Sequence, residues 1–250
     1  MIDERLPLLL LPGTLCDASV FTPMLPPDYP TIAADLTRHA SVGAAALAVL
    51  SEAPPRFIAL GFSLGGIVAL SMAQQAPERV AAMVLIATTP RPVAPEQHAA
   101  RRAQVADGAD PAVLVGETLW ANYVHPDRVA DDALRAKVVA MARACPPDTA
   151  RRQTELALSR IDQRERLGAL AMPVLILSGE QDAVAPPATQ AELATGLPQA
   201  RIARIPGAGH FVLLEKPEAC ARALGTWLSD LSQGASRAQS RTHIGSWEVS

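Results

Sequence analysis

Cysteine is scarce in this 250-residue chain. Cys16, Cys145 and Cys220 are odd in number and far apart, which excludes a disulfide framework and a zinc site as readings. A long basic run is also missing, so there is no electrostatic footprint of a nucleic-acid binder. The formal net charge of −3 is close to balanced. No internal repeat is evident, and no apolar run reaches the length of a membrane span. The opening Met-Ile-Asp-Glu-Arg, followed by the short run Leu6 to Leu11, fits neither a signal peptide nor a span. We read it as leading into a core strand of a cytoplasmic protein with no membrane partner.

What is present is a large apolar share, 49%, enough for a globular core. The length suits one α/β domain. Leu8 to Leu11 is a continuous apolar run ending in Pro12-Gly13, the pattern of a buried strand before a sharp turn. A short helix is expected over Val20 to Leu25 and a second strand over Thr31 to Leu36. Val42 to Ala53 reads as a helix capped by Ser41 and stopped by Pro54-Pro55. Arg56 to Gly61 is the next strand, Leu64 to Ala76 a helix, and Val80 to Ala87 another buried strand. This alternation predicts an α/β fold with a mostly parallel central sheet and helices on both faces.

The region from Pro90 to Gly168 breaks the alternation. It holds no convincing strand and reads as amphipathic helices separated by Pro111, Pro126 and Pro146-Pro147. The series then resumes with a strand over Pro173 to Ser178, a helix over Pro187 to Thr195, a strand over Ala200 to Ile205 and a helix over Pro217 to Leu231. The expected organisation is a core of residues 1–89 and 169–232, an inserted helical lid over 90–168, and a polar tail over 233–250. A separate second domain is the alternative to a lid, but the block is short and has no flexible linkers. The tail reads as a poorly ordered terminus, with Trp247 as a conceivable anchor.

The chemistry gathers around Gly61-Phe62-Ser63-Leu64-Gly65. As a bare pentapeptide it would occur by chance in roughly one chain in ten of this length. Its setting makes it specific: an apolar strand precedes it and a helical run follows. A strand-to-helix turn thrusts the serine out, and two glycines relieve the crowding there. The new helix also aims its N-terminus at developing negative charge. A helix N-cap would explain Ser63 but not both glycines.

A serine needs a base, and the base needs an orienting carboxylate. Of five histidines, only His210 falls in a loop between the last strand and the last helix. His39 comes at the wrong place in the chain order, His98 and His125 fall in the helical block, and His243 in the tail. Asp182 follows the strand between Ser63 and His210, with Glu180 as its rival. The oxyanion donors are expected to be the N–H groups of Leu64 and Thr14, with Leu15 as runner-up to Thr14, since Pro12 has no N–H. Cys16 as a nucleophile is disfavoured, having no local histidine. An acyl pocket is expected from Leu15, Trp120, Tyr123, Met141 and Phe211, with Leu119 nearby, although helical spacing fits plain packing as well. The pairs Arg101-Arg102 and Arg151-Arg152 read as a solvated face, or as a surface for an acidic carrier.

Together these residues resemble the α/β-hydrolase family. The likeness runs from about Leu8 to Leu231 and rests on Gly61-Phe62-Ser63-Leu64-Gly65-Gly66, Gly179-Glu180-Gln181-Asp182 and Gly207-Ala208-Gly209-His210. Pro77-Glu78-Arg79-Val80 and Leu85-Ile86-Ala87 resemble the strand entry after the nucleophile helix. Within the family the chain resembles small bacterial esterases of the pimeloyl-carrier methyl esterase and enol-lactonase type, whose four-helix lid matches 90–168 in size and position. Many members carry His-Gly where this chain has Pro12-Gly13, which loosens the assignment of the second oxyanion donor. The resemblance implies a serine hydrolase acting on small-molecule carboxylic esters through an acyl-enzyme, with no metal and no organic cofactor. An acyl-carrier protein is a conceivable partner. Lactone opening, thioester cleavage, C–C hydrolysis and perhydrolysis are open to the same triad. A non-turnover binding receptor and a carrier-protein adaptor are the alternatives of another class.

Overall fold

The computed structural model describes residues 5–106 and 109–242, with side chains through Gln233. Six parallel strands form one sheet in the order β2-β1-β3-β4-β5-β6. They are β1 (Leu8–Leu11), β2 (Thr31–Ala33), β3 (Phe57–Phe62), β4 (Val80–Ile86), β5 (Val174–Gly179) and β6 (Ala200–Ile205). β1, β3 and β5 are buried along their whole length, whereas the edge strands β2 and β6 are largely open. The burial explains why the central strands read as unbroken apolar runs.

Side chains alternate between two cores. Leu8, Leu10, Ile58, Leu60, Val84 and Ile86 face one, while Leu9, Leu11, Phe57, Ala59, Met83 and Leu85 face the other. The second core is covered by α1 (Val42–Glu52) and α2 (Leu64–Gln75), which pack together. Ser41 caps α1 as expected, its side chain accepting from the Ala44 N–H.

Between β4 and β5 the inserted block forms, over its described residues, helices joined by turns, with no strand. It comprises α3 (His98–Ala103), α4 (Pro111–Val113) running into a π-type turn over Leu114–Thr118, α5 (Trp120–Tyr123), α6 (Asp132–Ala144) and α7 (Thr149–Leu158). Trp120, Leu134, Val138 and Met141 join the first core, and Leu156 joins the second. The two ends of the block are tied together where the Gln163 N–H donates to the Pro90 carbonyl at 2.8 Å. The chain then adds α8 (Pro187–Gly196), α9 (Val212–Glu215) and α10 (Pro217–Thr242).

Three expectations shift. Val20 to Leu25 is not one helix but lies across two short 3₁₀ turns, Ala18–Val20 and Thr22–Met24, because Pro23 has no N–H to continue an α-helix. β2 ends at Ala33 rather than Leu36, where the Asp35 carboxylate accepts from the Thr37 N–H and hydroxyl in a local turn. α10 continues to Thr242 rather than stopping at Leu231, so helix enters the segment read as a tail. That stretch has good helix formers such as Ala235, Arg237, Ala238 and Gln239, and no proline to stop it. His243 and Trp247 lie outside the described residues.

Candidate active site

Ser63, Asp182 and His210 lie beyond the C-terminal ends of β3, β5 and β6, the usual side for a site in an open α/β sheet. Ser63 sits between β3 and α2 at φ 49°, ψ −111°. A positive φ is strained for a serine, and its surroundings hold it there. Its N–H donates to the Ile86 carbonyl at 2.8 Å, and its carbonyl accepts from the Thr88 hydroxyl at 2.7 Å. The turn also demands its glycines. A Cβ on Gly65 would overlap the Leu11 carbonyl, and one on Gly61 would collide with the backbone of Gly66.

The Ser63 side chain does not cap α2. Its Oγ lies 2.9 Å from Nε2 of His210. Nδ1 of the same ring lies 2.9 Å and 3.1 Å from the two carboxylate oxygens of Asp182. A carboxylate only accepts, so Nδ1 carries the proton and Nε2 is left to accept from the Ser63 hydroxyl. Asp182 and His210 are both buried. Burial resists charge on Asp182, but His210 and the N–H groups of Ala185 and Val184 outweigh it and hold the carboxyl below its usual range. Glu180, the rival acid, is exposed.

At the end of β1, the Cys16 N–H closes a turn onto the Gly13 carbonyl at 3.2 Å. Thr14 and Leu15 are its middle residues, and Leu15 has φ +54°. The Leu15 N–H is already taken: it donates to Oε1 of Gln153, on α7, at 2.8 Å. The runner-up oxyanion donor is thus engaged within the protein, which favours Thr14. The Leu64 N–H, at the start of α2, has no carbonyl of its own helix to reach. The Cys16 thiol is buried, and burial pushes it well away from the thiolate.

The pocket candidates divide. Tyr123 stacks on the His210 ring with centroids 5.7 Å apart, and it meets Phe211 edge-on at 5.5 Å. The Phe211 N–H donates to the Tyr123 carbonyl at 3.0 Å. Leu15, Trp120, Met141 and Phe211 are buried in the first core, with Leu119 partly buried against it. The Trp120 indole is fastened to the Val129 carbonyl at 2.9 Å, inside the helical block. Arg102 is paired with Glu155 at 2.7 Å and Arg151 with Asp148 at 3.5 Å, both on open surface.

Residue spacing gave no sign of two further groups. Glu215, buried at the end of α9, accepts from the Gly209 N–H at 2.9 Å and the His125 N–H at 2.7 Å. It ties the histidine loop to the helical block. Burial pushes its carboxyl up, against those two N–H groups and the Arg128 charge. Gln153 does the corresponding work at the Thr14 turn. Gly209 lies six residues from Glu215, but His125 lies 90 residues away and Leu15 lies 138 residues from Gln153. The one hint was a polar residue inside an apolar helical face.

A family model described as alpha/beta hydrolase fold matches residues 53–217. The pimeloyl-[acyl-carrier protein] methyl ester esterase of Aromatoleum aromaticum is 34% identical over 224 residues, covering 81% of this chain and 89% of that one. A thermophilic esterase from Thermogutta terrifontis superposes with a TM-score of 0.79 at 26% identity, covering 90% of each chain. The enol-lactonase from Burkholderia xenovorans also gives 0.79, at 18% identity, over 90% of this chain and 92% of that one, a likeness of fold.

Proposed function

This chain belongs to the α/β-hydrolase family and is an ester-bond hydrolase, and on that premise we propose that Ser63, His210 and Asp182 are its catalytic triad. One observation carries the proposal: the unbroken chain of contacts from Ser63 Oγ through both nitrogens of His210 to Asp182. His210 takes the hydroxyl proton as Ser63 Oγ attacks the ester carbonyl. The N–H groups of Leu64 and Thr14 hold the oxyanion. Asp182 keeps Nδ1 protonated and stabilises the imidazolium. The protonated His210 gives its proton to the departing alcohol, and the acyl group stays on Ser63. His210 then draws a proton from water as that water attacks the acyl-enzyme, and returns the proton to Ser63 Oγ as the Oγ–acyl bond breaks and the acid leaves.

The block over 90–168 serves as the lid of a core formed by 1–89 and 169–232, with Tyr123 and Phe211 walling the acyl side of His210. The substrate is a small-molecule carboxylic ester. A cytoplasmic setting agrees with three free thiols. A second reading, an acyl chain presented by a carrier protein, is favoured by the name of the Aromatoleum aromaticum relative.

Turnover of p-nitrophenyl esters tests the triad. Ser63→Ala is expected to lower kcat by about 10⁴-fold or more and to abolish fluorophosphonate labelling. Unchanged turnover in that variant would remove Ser63 from the role. Comparing a carrier-linked methyl ester with the free ester tests the second reading. Equal kcat/KM for the two would dismiss carrier recognition.

A further inference from the structure

The turn at the end of β1 has an uncomfortable residue in it. Leu15 occupies its third position with φ +54°, where a type II turn favours glycine. In the left-handed region the Cβ crowds the following carbonyl oxygen, so something must hold a side chain there. Within the turn, the Cys16 N–H reaches the Gly13 carbonyl. From outside comes the Gln153 amide. The residue is 1% exposed, and it sits on α7, 138 residues from Leu15 in sequence. Its Oε1 accepts from the Leu15 N–H at 2.8 Å, and its Nε2 donates to the Leu36 carbonyl at 3.3 Å. A single buried amide therefore spans the loops that follow β1 and β2.

We infer that Gln153 is a positioning residue for the oxyanion site. By holding the Leu15 N–H, it fixes the strained turn that carries the Thr14 N–H, the proposed oxyanion donor. Hydrogen-bond donors stabilise an oxyanion only when they are aligned before charge develops. Without Gln153, the turn relaxes toward negative φ at Leu15 and the neighbouring Thr14 peptide swings with it. The lid then has a part in the chemical step besides covering substrate: seating α7 sets the oxyanion donor. This inference rests on the assignment of Thr14 as donor.

Gln153→Met keeps the length of the side chain and removes both hydrogen bonds. With p-nitrophenyl acetate, it is expected to lower kcat by about 10- to 100-fold while KM stays within about twofold. Affinity for a boronic acid, which forms a tetrahedral anionic adduct on Ser63, falls by the same factor as kcat, and affinity for the product acid does not. Gln153→Glu keeps an acceptor for the Leu15 N–H and is expected to stay within about threefold of wild-type kcat. In Gln153→Met, the further change Leu15→Gly removes the strain and restores part of kcat. A repair of that kind would not follow if Gln153 only packed α7.

A folded Gln153→Met enzyme with kcat within about twofold of wild type overturns the inference. Equal losses of boronate and product-acid affinity overturn it as well. If Gln153→Met does not fold, Gln153→Glu decides, and a fall of about tenfold or more in its kcat counts against the role. Failure of the parent reading looks different, because Ser63→Ala would then keep its turnover whatever Gln153 does.

Discussion

The sheet and the inserted helical block both reach the candidate active site, but by different means. The sheet delivers its residues through backbone. Parallel strands end together, Ser63 is pinned by the Ile86 carbonyl and the Thr88 hydroxyl, and α2 presses so close to β1 that Gly65 has no room for a side chain. The block arrives through a handful of polar groups. Gln153 grips the Leu15 N–H, the His125 N–H meets Glu215, and the Tyr123 carbonyl accepts from the Phe211 N–H. Backbone geometry tolerates little local change. Of the block's bridges, those of Gln153 and Glu215 can each be cut by one substitution, whereas the Tyr123–Phe211 bond is backbone to backbone.

Substitutions can sharpen or break this contrast. The largest effect is expected on the sheet side, at Asp182. Asp182→Asn leaves the ring of His210 in place but inverts its tautomer, and kcat should fall by about 10⁴-fold, or roughly 5.5 kcal/mol. The same residue sets an acid-range stability term. Its carboxyl is held below the ordinary value of 3.8, so its contribution is complete above that value and is lost as the pH falls through its own lower pKa. Thermal melts of wild type should therefore weaken across that acid window, and the Asp182→Asn variant should lack that part of the slope. An equal slope in both proteins would contradict the assigned environment.

Next is Gly65→Ala, a single methyl placed against the Leu11 carbonyl. It should cost about 3–5 kcal/mol in urea unfolding, or prevent folding outright, because backbone on both sides has nowhere to move. A loss of less than about 1 kcal/mol would show that the elbow is softer than the contrast requires. The smallest effect is expected on the outer surface of the block. Arg102→Ala removes an exposed ion pair with Glu155, and both melting temperature and ester turnover should stay where they are. A clear fall in carrier-linked turnover alone, with free-ester turnover intact, would instead give that face a partner.

Much of the candidate site was legible because its signals are local. Ser63 is announced by the strand before it, the helix after it and the glycines at its sides. Asp182 and His210 each follow a later strand, and the order of strands along the chain stands in for their positions in space. Their contacts with one another span up to 147 residues, yet none of that distance had to be guessed. Elements with weaker local signals were read less well. Pro23 broke a supposed helix into two turns, and the polar Ala- and Arg-containing stretch after Leu231 extended a helix where charge and small residues suggested a loose end.

The amino-acid sequence by itself determined the alternating fold, the strand–turn–helix around Ser63 and the chain order of the proposed triad, because strand burial, glycine spacing and chain order act over a few residues at a time. Only the tertiary structure decided that Leu15 is engaged by Gln153, that Glu215 joins the histidine loop to His125, and that Tyr123 rather than Trp120 lies against His210. These are contacts of single side chains with backbone or rings, most of them far apart along the chain. They depend on how the helical block settles onto the sheet, and no periodicity in the chain encodes where an isolated buried amide or carboxylate will find its partner.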